Sequence, residues 1–418
     1  MTSTKLILKL IILLFFNSIL NGCVEEETKV VSTGTGKSTP DKMVASGVIT
    51  GLGPIQISGT SLSEANAQAL LNTVTNRTAN DLRLGMTSDI IGTITNNSGL
   101  GEAALVLAQN AVRGRISFID SLNQTLLVQG VMIGFDQNTI FDGTSGVLRG
   151  ASVSTSTTLR GLNIGDTVEV YGINAALPSM SVNPLATRIL ATRFSLLPES
   201  INTEVELSGN VGIGVSTNSR FINLVGNLIN MVGAQQLGVT NASTTALSVN
   251  TAIPAGSRVR VVGYIDPAID SIIASQLITN ITAPKSDNEI IVLDATVTAL
   301  LGATRVRVGD TEVELSATNI ASSITPGVRV QVRGRQIGGV VQATNARIIG
   351  RTERIEYVVD GAITEVSGNI IRVRGERINV ATATFTGGSA ANLVAARNVI
   401  VKGVAGAGQL NATSVTFR

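Results

Sequence analysis

The 418-residue chain contains no histidine, no tryptophan and a single cysteine, Cys23. Without histidine, imidazole acid–base catalysis, Ser-His-Asp triads and histidine metal sites are excluded. Aromatic residues make up only 3% of the chain, so the stacking platforms of sugar sites and single-stranded nucleic-acid grooves are scarce. A lone cysteine leaves no second thiol for an intramolecular disulfide. We therefore expect no catalytic residue, no metal site and no cofactor.

The charge is nearly balanced. The chain has 31 basic and 29 acidic residues, and loss of Lys5 and Lys9 with the N-terminal leader would leave 29 of each. A neutral chain has no long-range field that would attract nucleic acid. We expect no nucleic-acid partner.

The first 22 residues have the pattern of a bacterial lipoprotein signal peptide. Lys5 and Lys9 give a basic start, an apolar run follows at 10–16, and the small residue Gly22 precedes Cys23. We expect cleavage of 1–22 and a lipid on Cys23, which would hold the chain to a membrane leaflet. The alternative of a spanning helix needs about 20 apolar residues, more than this interrupted run supplies.

The predicted location is the cell envelope, as an outer membrane lipoprotein on the periplasmic side or at the surface. Resemblance to bacterial lipoproteins implies this destination, because Val24 rather than Asp follows the cysteine. Residues 23–44 are rich in Ser, Thr, Gly and charged residues and have few large apolar ones. They predict a lipidated flexible tether through which the membrane is a partner.

Beyond the tether the sequence repeats five times. A frame Gly-x-x-Val-x-Val-x-Gly is complete at 165–172, 256–263 and 327–334, and degraded copies lie at 85–92 and 396–403. Each frame is followed by a segment that begins with alanine. Successive frames end 69 to 91 residues apart, so each repeat is long enough for a small core of its own. The glycines that close the frames are Gly92, Gly172, Gly263, Gly334 and Gly403.

The repeats predict an all-β fold. Short runs rich in Val, Ile and Thr alternate apolar and polar residues, as in 328–332 and 370–374. Such strands bury one face, which is typical of small antiparallel barrels or sandwiches. We expect a tandem array of about five modules that fold separately. Their predicted bounds are 45–111, 112–200, 201–287, 288–352 and 353–418, and these are the first to fifth repeats below.

Two local features carry further expectations. Ser61-Leu62-Ser63-Glu64 has capping-box spacing and predicts a helix over 65–71. The framing glycines are expected to need positive φ or a close approach of two backbones.

The strand and turn signatures resemble the DUF5666 family of bacterial envelope proteins. The resemblance covers nearly all of the chain after the tether, and an apolar insertion at 224–238 makes the third repeat the most divergent. It implies that the modules are small OB-like β-barrels, and it implies no activity, because the family has no established one. The segments that carry it are 47–59, 84–86, 114–116, 165–172 and 186–189.

Six arginines in the last two repeats are candidate polyanion-binding residues. They recur at period 2, which places each pair on one face of a strand, and from Asp294 onward the chain has 14 basic against 9 acidic residues. The pairs indicate either a patch for an anionic envelope polymer or the ordinary polar outer face of half-buried strands. The six are Arg305, Arg307, Arg333, Arg335, Arg372 and Arg374.

Carboxylate pairs keep one enzyme chemistry open, since glycoside hydrolysis needs only two carboxyl groups. The candidates are Asp136 with Asp142, and Asp310 with Glu312 and Glu314. The second set is more typical of a solvated strand face than of a catalytic pair.

The sequence favours a non-enzymatic, lipid-anchored envelope protein that acts as a binding, spacer or scaffold element. The alternative is a module that binds a polyanion or glycan, such as lipopolysaccharide or exopolysaccharide, through the arginine faces of the fourth and fifth repeats. A carboxylate-dependent hydrolase is the third hypothesis. An envelope polysaccharide or protein is the partner expected of the first two.

Overall fold

Strands of the predicted kind run through the whole described part of the chain in a computed structural model. It describes residues 39–418 except 73, 96–99, 143–157, 160–161, 174–183, 194–203, 212–220, 225–226, 241–242, 247–252, 254–256, 267–270, 280–281, 284, 351 and 407. The signal peptide, Cys23 and most of the predicted tether lie outside the described residues. Residues from Thr39 to Arg418 form one compact unit.

The strands and short 3-10 turns follow chain order through the five repeats. The first repeat contains β1 (Asp41–Val48), β2 (Gly51–Leu52), β3 (Ile55–Ile57), β4 (Thr60–Ser63), β5 (Gln68–Leu71), β6 (Val74–Arg77), η1 (Ala79–Asp81), β7 (Thr87–Ile94) and β8 (Leu100–Ala108). The second contains β9 (Val112–Asp120), β10 (Thr125–Val128), β11 (Val131–Gly134), β12 (Ile140–Asp142), β13 (Thr158–Leu159), β14 (Leu162–Asn163), β15 (Thr167–Ile173) and β16 (Leu185–Arg193). The third contains β17 (Glu204–Asn210), β18 (Phe221–Leu224), β19 (Asn227–Asn230), β20 (Gln235–Thr240), β21 (Ser243–Ala246), β22 (Arg258–Asp266) and β23 (Ser271–Thr279). The fourth contains β24 (Ile290–Leu300), β25 (Arg305–Val308), β26 (Thr311–Glu314), η2 (Ala321–Ser323), β27 (Arg329–Ile337) and β28 (Val340–Ile349). The fifth contains β29 (Glu356–Ser367), β30 (Ile370–Val373), β31 (Glu376–Asn379), β32 (Thr384–Thr386), η3 (Ala390–Asn392), β33 (Asn398–Gly406) and β34 (Gln409–Phe417).

Five strands of the second repeat close into a barrel. β9 pairs with β10, β10 pairs with β11, and β11 runs parallel to β16. β16 pairs with β15, and β15 returns to β9. This closure matches the five-stranded barrel of an OB-like fold and confirms the all-β barrel prediction.

The same ring of pairings occurs in the fourth and fifth repeats. In the third repeat the pairing between the first two strands of the ring is reduced to a single bridge between Val211 and Leu224. In the first repeat the opening strand is broken into β1 and β2, and the ring closes through the pairing of β2 with β3. The count of five OB-like modules therefore stays a prediction.

Glycines set the hairpins that join the second and third strands of a ring. Both central residues of three two-residue turns have positive φ: Ser58-Gly59, Gln129-Gly130 and Arg374-Gly375. That geometry matches the right-handed twist of the flanking strands. The recurring glycine at the end of the second strand is therefore a turn residue.

The glycine that closes each frame faces a β-bulge. Gly334 pairs with Ala343 whereas Arg333 pairs with Asn345, so Thr344 is an extra residue in its strand. A Cβ on Gly334 would overlap the carbonyl oxygen of Gln342 and lie 2.9 Å from the Cα of Ala343. The paired glycine and alanine motifs thus mark a close approach of two backbones. The same register shift occurs at Gly92, Gly172, Gly263 and Gly403.

The extra residue of the bulge carries a hydroxyl in four of the five copies. The bulge interrupts the backbone hydrogen bonds between the two strands and leaves a carbonyl of the opposite strand without an amide partner. The hydroxyl of the extra residue donates to that carbonyl. The four bonds are Thr187 to Tyr171 at 3.2 Å, Ser275 to Val262 at 3.0 Å, Thr344 to Arg333 at 3.1 Å and Thr413 to Lys402 at 3.2 Å.

The repeats pair with one another through their opening strands. β1 runs parallel to β24, and β2 runs parallel to β29, so the first repeat joins the fourth and the fifth. β9 pairs antiparallel with β17, which joins the second repeat to the third.

The apolar clusters of the described residues extend across the repeat boundaries, and separate folding of the modules stays a prediction. One cluster combines the first and fifth repeats, for example through Ile57 and Ile371. A second combines the second and third repeats, and a third adds Val44 and Ile278 to the core of the fourth. Burial across the repeat boundaries therefore contributes to the stability of each barrel.

One local expectation was wrong. In place of a helix over 65–71, β4 and β5 each run parallel to β8, which places Leu62 and Leu70 in the core. Pairing with β8 outweighs the local capping pattern. The first strand, β1, starts at Asp41 and buries Met43 and Val44.

We predict that Gly334→Val lowers the free energy of unfolding by about 1–3 kcal/mol or more, because its side chain must displace the backbone at Gln342. Urea unfolding measures the change. Gly302→Val is the matched control, since a Cβ there would meet only Arg305, at 3.8 Å. Equal losses in the two variants would contradict the assignment of a close backbone approach.

The first residue of the Gly-x-x-Val-x-Val-x-Gly frame has positive φ in the four described copies. Its φ is 78° at Gly85, 94° at Gly165 and 90° at Gly327, and Ala396 holds 66° in the fifth repeat. An L-residue in this region costs roughly 1–2 kcal/mol. Gly256, the third copy, lies outside the described residues.

We therefore predict that Ala396→Gly raises the melting temperature, with a net gain of about 0.5–1 kcal/mol after the added flexibility of the unfolded chain is counted. Gly327→Ala should shift it in the opposite direction. A lower melting temperature for Ala396→Gly would show that the alanine is not strained.

Candidate functional site

The first predicted arginine pair lies opposite two glutamates. Arg305 and Arg307 on β25 are directly across from Glu314 and Glu312 on β26. The ion-pair distances are 3.9 Å for Arg305 and 3.2 Å for Arg307, and both guanidinium groups are partly exposed. The glutamates compensate the charge that a polyanion would need.

The second pair contacts other segments of the chain. Arg335 lies 3.4 Å from Asp41 of β1 and also donates to the carbonyl of Asn288. Arg333 donates to the hydroxyl of Thr60 at 3.3 Å. These two side chains of the fourth repeat thus bind the first repeat.

The third pair is divided between two partners. Arg372 lies 3.2 Å from Glu365 and donates to the Gly375 carbonyl at 3.0 Å. Arg374 forms an ion pair with Glu64 of the first repeat, and burial raises the pKa of Glu64 although Arg374 opposes that shift. Five of the six predicted arginines are therefore in ion pairs, and the polyanion site stays a prediction.

A buried guanidinium joins three repeats. Arg188 on β16 is fully buried, and its Nη1 lies 3.1 Å from Glu376 of the fifth repeat. Its other terminal nitrogen pairs with Asp142, and Nη1 donates to the carbonyl of Leu84 in the first repeat at 2.9 Å. Burial opposes the charge on Arg188, but Glu376 and Asp142 outweigh it and raise the pKa of the guanidinium.

A second buried arginine joins the first and third repeats, and its glutamate partner also binds the second. Arg260 on β22 pairs with Glu206 and donates to Asn110 at 2.9 Å and to Asn72 at 3.3 Å. Burial lowers the pKa of Arg260, although Glu206 opposes the shift. Arg113 of the second repeat is 3.1 Å from the same Glu206.

An asparagine ties the second repeat to the start of the fifth. The Asn138 side chain donates to the carbonyl of Glu353 at 2.9 Å and accepts from the amide of Ile355 at 3.1 Å. Its own carbonyl accepts from the buried hydroxyl of Tyr357 at 3.2 Å. The side chain thus acts like a strand partner across the repeat boundary.

The candidate catalytic carboxylates have structural partners. Asp142 pairs with Arg188, and Asp136 accepts from the amide of Asn138 at 2.7 Å within its turn. Burial raises the pKa of Asp136. Asp310 lies 3.7 Å from Lys285, whose charge contributes to lowering the pKa of Asp310 against the effect of burial. Each of these carboxylates contributes to a turn or an ion pair.

Cavities open between repeats in the described part of the chain. One of about 850 Å³ lies between the second and fourth repeats and includes Phe135, Asp136, Pro326 and Arg329 in its lining. A smaller one of about 120 Å³ lies where the first four repeats meet.

Within the described residues, no group of three or more acidic or cysteine side chains could hold a metal ion. No helix in that part of the chain has the length and apolar character needed to cross a membrane. Cys23, the predicted lipidation site, lies outside it.

Residues 113–177 match the family described as a domain of unknown function, DUF5666. This segment is a DUF5666 domain. The match runs from β9 through the whole of β15 and so contains most of the barrel of the second repeat. The predicted resemblance is confirmed there. A comparison with curated proteins gave no match.

The residues that join the DUF5666 domain to its neighbours were missed by sequence reasoning. Arg188 follows this domain within the Ala186-Thr187-Arg188-Ile189 segment, where it looks like an outward-facing polar residue. The sequence does contain an indication that Arg188 faces inward. Thr187 is the extra residue of the bulge, so the alternation of faces along β16 is reversed at Arg188.

We predict that Arg188→Met lowers the free energy of unfolding by about 3–5 kcal/mol, because it leaves the carboxylates of Glu376 and Asp142 without their cationic partner. Chemical denaturation measures the loss. Arg347→Met, which removes an exposed pair with Glu353, should cost less than about 1 kcal/mol.

A triple variant separates charge from packing. Adding Asp142→Asn and Glu376→Gln to Arg188→Met removes the unpaired charges and should restore part of the lost stability. A loss for Arg188→Met no larger than that for Arg347→Met would contradict the structural role of the buried pair.

Proposed function

We propose that this protein is a non-enzymatic, lipid-anchored scaffold or spacer of the cell envelope. The observation that carries the proposal is the set of buried ion pairs and hydrogen bonds that cross the repeat boundaries, with Arg188 at its centre. Such contacts favour a body of fixed shape over a flexible string of modules. A fixed shape suits a protein that holds something at a defined distance from a membrane.

The lipid anchor is the second part of the proposal. The signal pattern at 1–22 and Cys23 support attachment to the outer membrane, on the periplasmic side or at the surface. β1 begins at Asp41, so up to about 17 residues separate the lipid from the first barrel. At roughly 3.3–3.6 Å per residue, this tether reaches at most about 60 Å.

The alternative function is binding of a polyanion or glycan by the arginines of the fourth and fifth repeats. Arg333 favours it, since its guanidinium forms no ion pair within the described residues and donates a hydrogen bond to Thr60. The ion pairs of the other five arginines favour the scaffold. A carboxylate-dependent hydrolase is a third hypothesis, and the partners of Asp136 and Asp142 weigh against it.

We predict that Cys23→Ser releases the protein from the membrane fraction, because no thioether-linked lipid can form. Fractionation of cells that express the wild type and the variant, with a mass measurement of the mature N-terminus, tests this. Normal processing and unchanged membrane association of the variant would refute the anchor.

For the alternative, we predict little binding of the full chain to lipopolysaccharide or heparin at physiological ionic strength, where exposed charges are screened over about 8 Å. Titrations at rising salt measure it. Salt-sensitive binding that is lost when Arg333, Arg335, Arg372 and Arg374 are all changed to Gln, with an unchanged melting curve, would support the polyanion function over the scaffold.

A further inference from the structure

Two arginines face each other on the β30–β31 hairpin of the fifth repeat. Arg372 lies directly across from Arg377. At the same place in the fourth repeat, Arg307 lies across from Glu312 and forms an ion pair of 3.2 Å with it. Like charges directly opposite on paired strands are destabilising. The fifth repeat thus has a repulsive pair where the fourth has an attractive one.

A third guanidinium reaches this hairpin from the first repeat. A Cβ on Gly375, in the turn of the hairpin, would lie 2.6 Å from the guanidinium carbon of Arg83. Arg372 donates to the carbonyl of the same glycine at 3.0 Å. The Nη1 of Arg83 donates to the carbonyls of Asn80 at 2.6 Å and Leu82 at 2.8 Å, which fixes the position of this guanidinium. Arg83 and Arg372 therefore meet at Gly375, with Arg377 beside them.

The ion pairs of these three arginines do not balance their charge. Arg372 has one carboxylate partner, Glu365 of β29, at 3.2 Å. Arg83 and Arg377 form no ion pair within the described residues, and Arg377 is exposed. Three guanidinium groups against one carboxylate leave two positive charges uncompensated.

Other carboxylates nearby are bound by other arginines. Each of them is already in an ion pair, so none is available to compensate Arg83 or Arg377. The pairs are Glu64 with Arg374, Glu376 with Arg188 and Asp81 with Arg77.

We propose that Arg83, Arg372 and Arg377 bind a phosphate group. A phosphate monoester carries about 1.5 to 2 negative charges at pH 7, which matches two uncompensated guanidinium groups. Each arginine presents a planar fork of donors that fits phosphate oxygens, and three forks from two repeats suit a tetrahedral group with several oxygens. Arg372 is partly exposed and Arg377 is exposed, so the group reaches the site from solvent.

This site goes beyond the scaffold function and does not depend on it. It also differs from the polyanion hypothesis, because Arg83 and Arg377 are outside the six arginines of that hypothesis. A single phosphate group needs only a local set of donors, whereas a polymer needs an extended basic surface.

The phosphate has two possible sources, a free ion or a group carried by a larger molecule such as a lipid headgroup. Titration calorimetry of the mature full-length protein in detergent, at constant ionic strength, distinguishes them. Inorganic phosphate represents the free ion, glycerol 3-phosphate represents a headgroup, and glycerol is the uncharged control. Weaker binding of glycerol 3-phosphate than of phosphate indicates a free ion, whereas equal or tighter binding indicates a carried group.

Two variants test the site itself. Arg83→Gln and Arg377→Gln each remove one cation, and each should weaken phosphate binding by about tenfold or more. Arg377 is exposed and forms no ion pair within the described residues, so its replacement separates binding from folding. Arg347→Gln is the matched control, because it removes an exposed arginine of the fourth repeat, and it should bind as the wild type does.

A charge reversal adds a readout of stability. Arg377→Glu reproduces the arrangement of Arg307 and Glu312, so it should raise the melting temperature in phosphate-free buffer. Added phosphate should raise the melting temperature of the wild type and leave that of Arg377→Glu unchanged.

The proposal is overturned if neither phosphate nor glycerol 3-phosphate gives saturable binding at millimolar concentration. It is also overturned if Arg377→Gln binds phosphate as tightly as Arg347→Gln. An equal rise in melting temperature with phosphate for the wild type and Arg377→Glu would overturn it as well.

Discussion

A fully buried guanidinium needs partners that offset its desolvation, and the two terminal nitrogens of Arg188 obtain theirs from three different repeats. Taking such an ion out of water costs several kcal/mol, which is recovered only when geometry and additional hydrogen bonds are good. Glu376 contributes twice, because it also accepts from the amide of Leu84 at 2.8 Å. The arrangement forms only when the first, second and fifth repeats are together.

The other boundary contacts extend the same constraint. Arg260 requires groups from the first and third repeats, and Asn138 satisfies the backbone at the start of the fifth. The parallel pairing of β1 with β24 adds backbone hydrogen bonds, and the shared apolar clusters add buried surface. Polar contacts of this kind give a defined relative placement that apolar burial alone does not require. That placement supports the proposed function as a scaffold.

The sequence predicted the parts of the fold that depend on local geometry. The glycine that closes each frame and the alanine opposite it, such as Gly334 and Ala343 in the fourth repeat, mark a bulge in every repeat. Period-2 alternation identified the strands of the rings. The sequence did not predict how the repeats assemble, because Arg188 and Glu376 are 188 positions apart and each looks like a solvated residue on its own strand. The helix expected at 65–71 was wrong for the same reason, since pairing of β5 with the distant β8 decides that segment.

The central claim is that the repeats form one cooperative body, and calorimetric unfolding of the mature full-length chain tests it most directly. The account predicts a single transition whose calorimetric enthalpy equals its van't Hoff enthalpy. Separate transitions, one for each repeat or pair of repeats, would contradict it. They would show that the buried contacts of Arg188 and Arg260 do not couple the barrels.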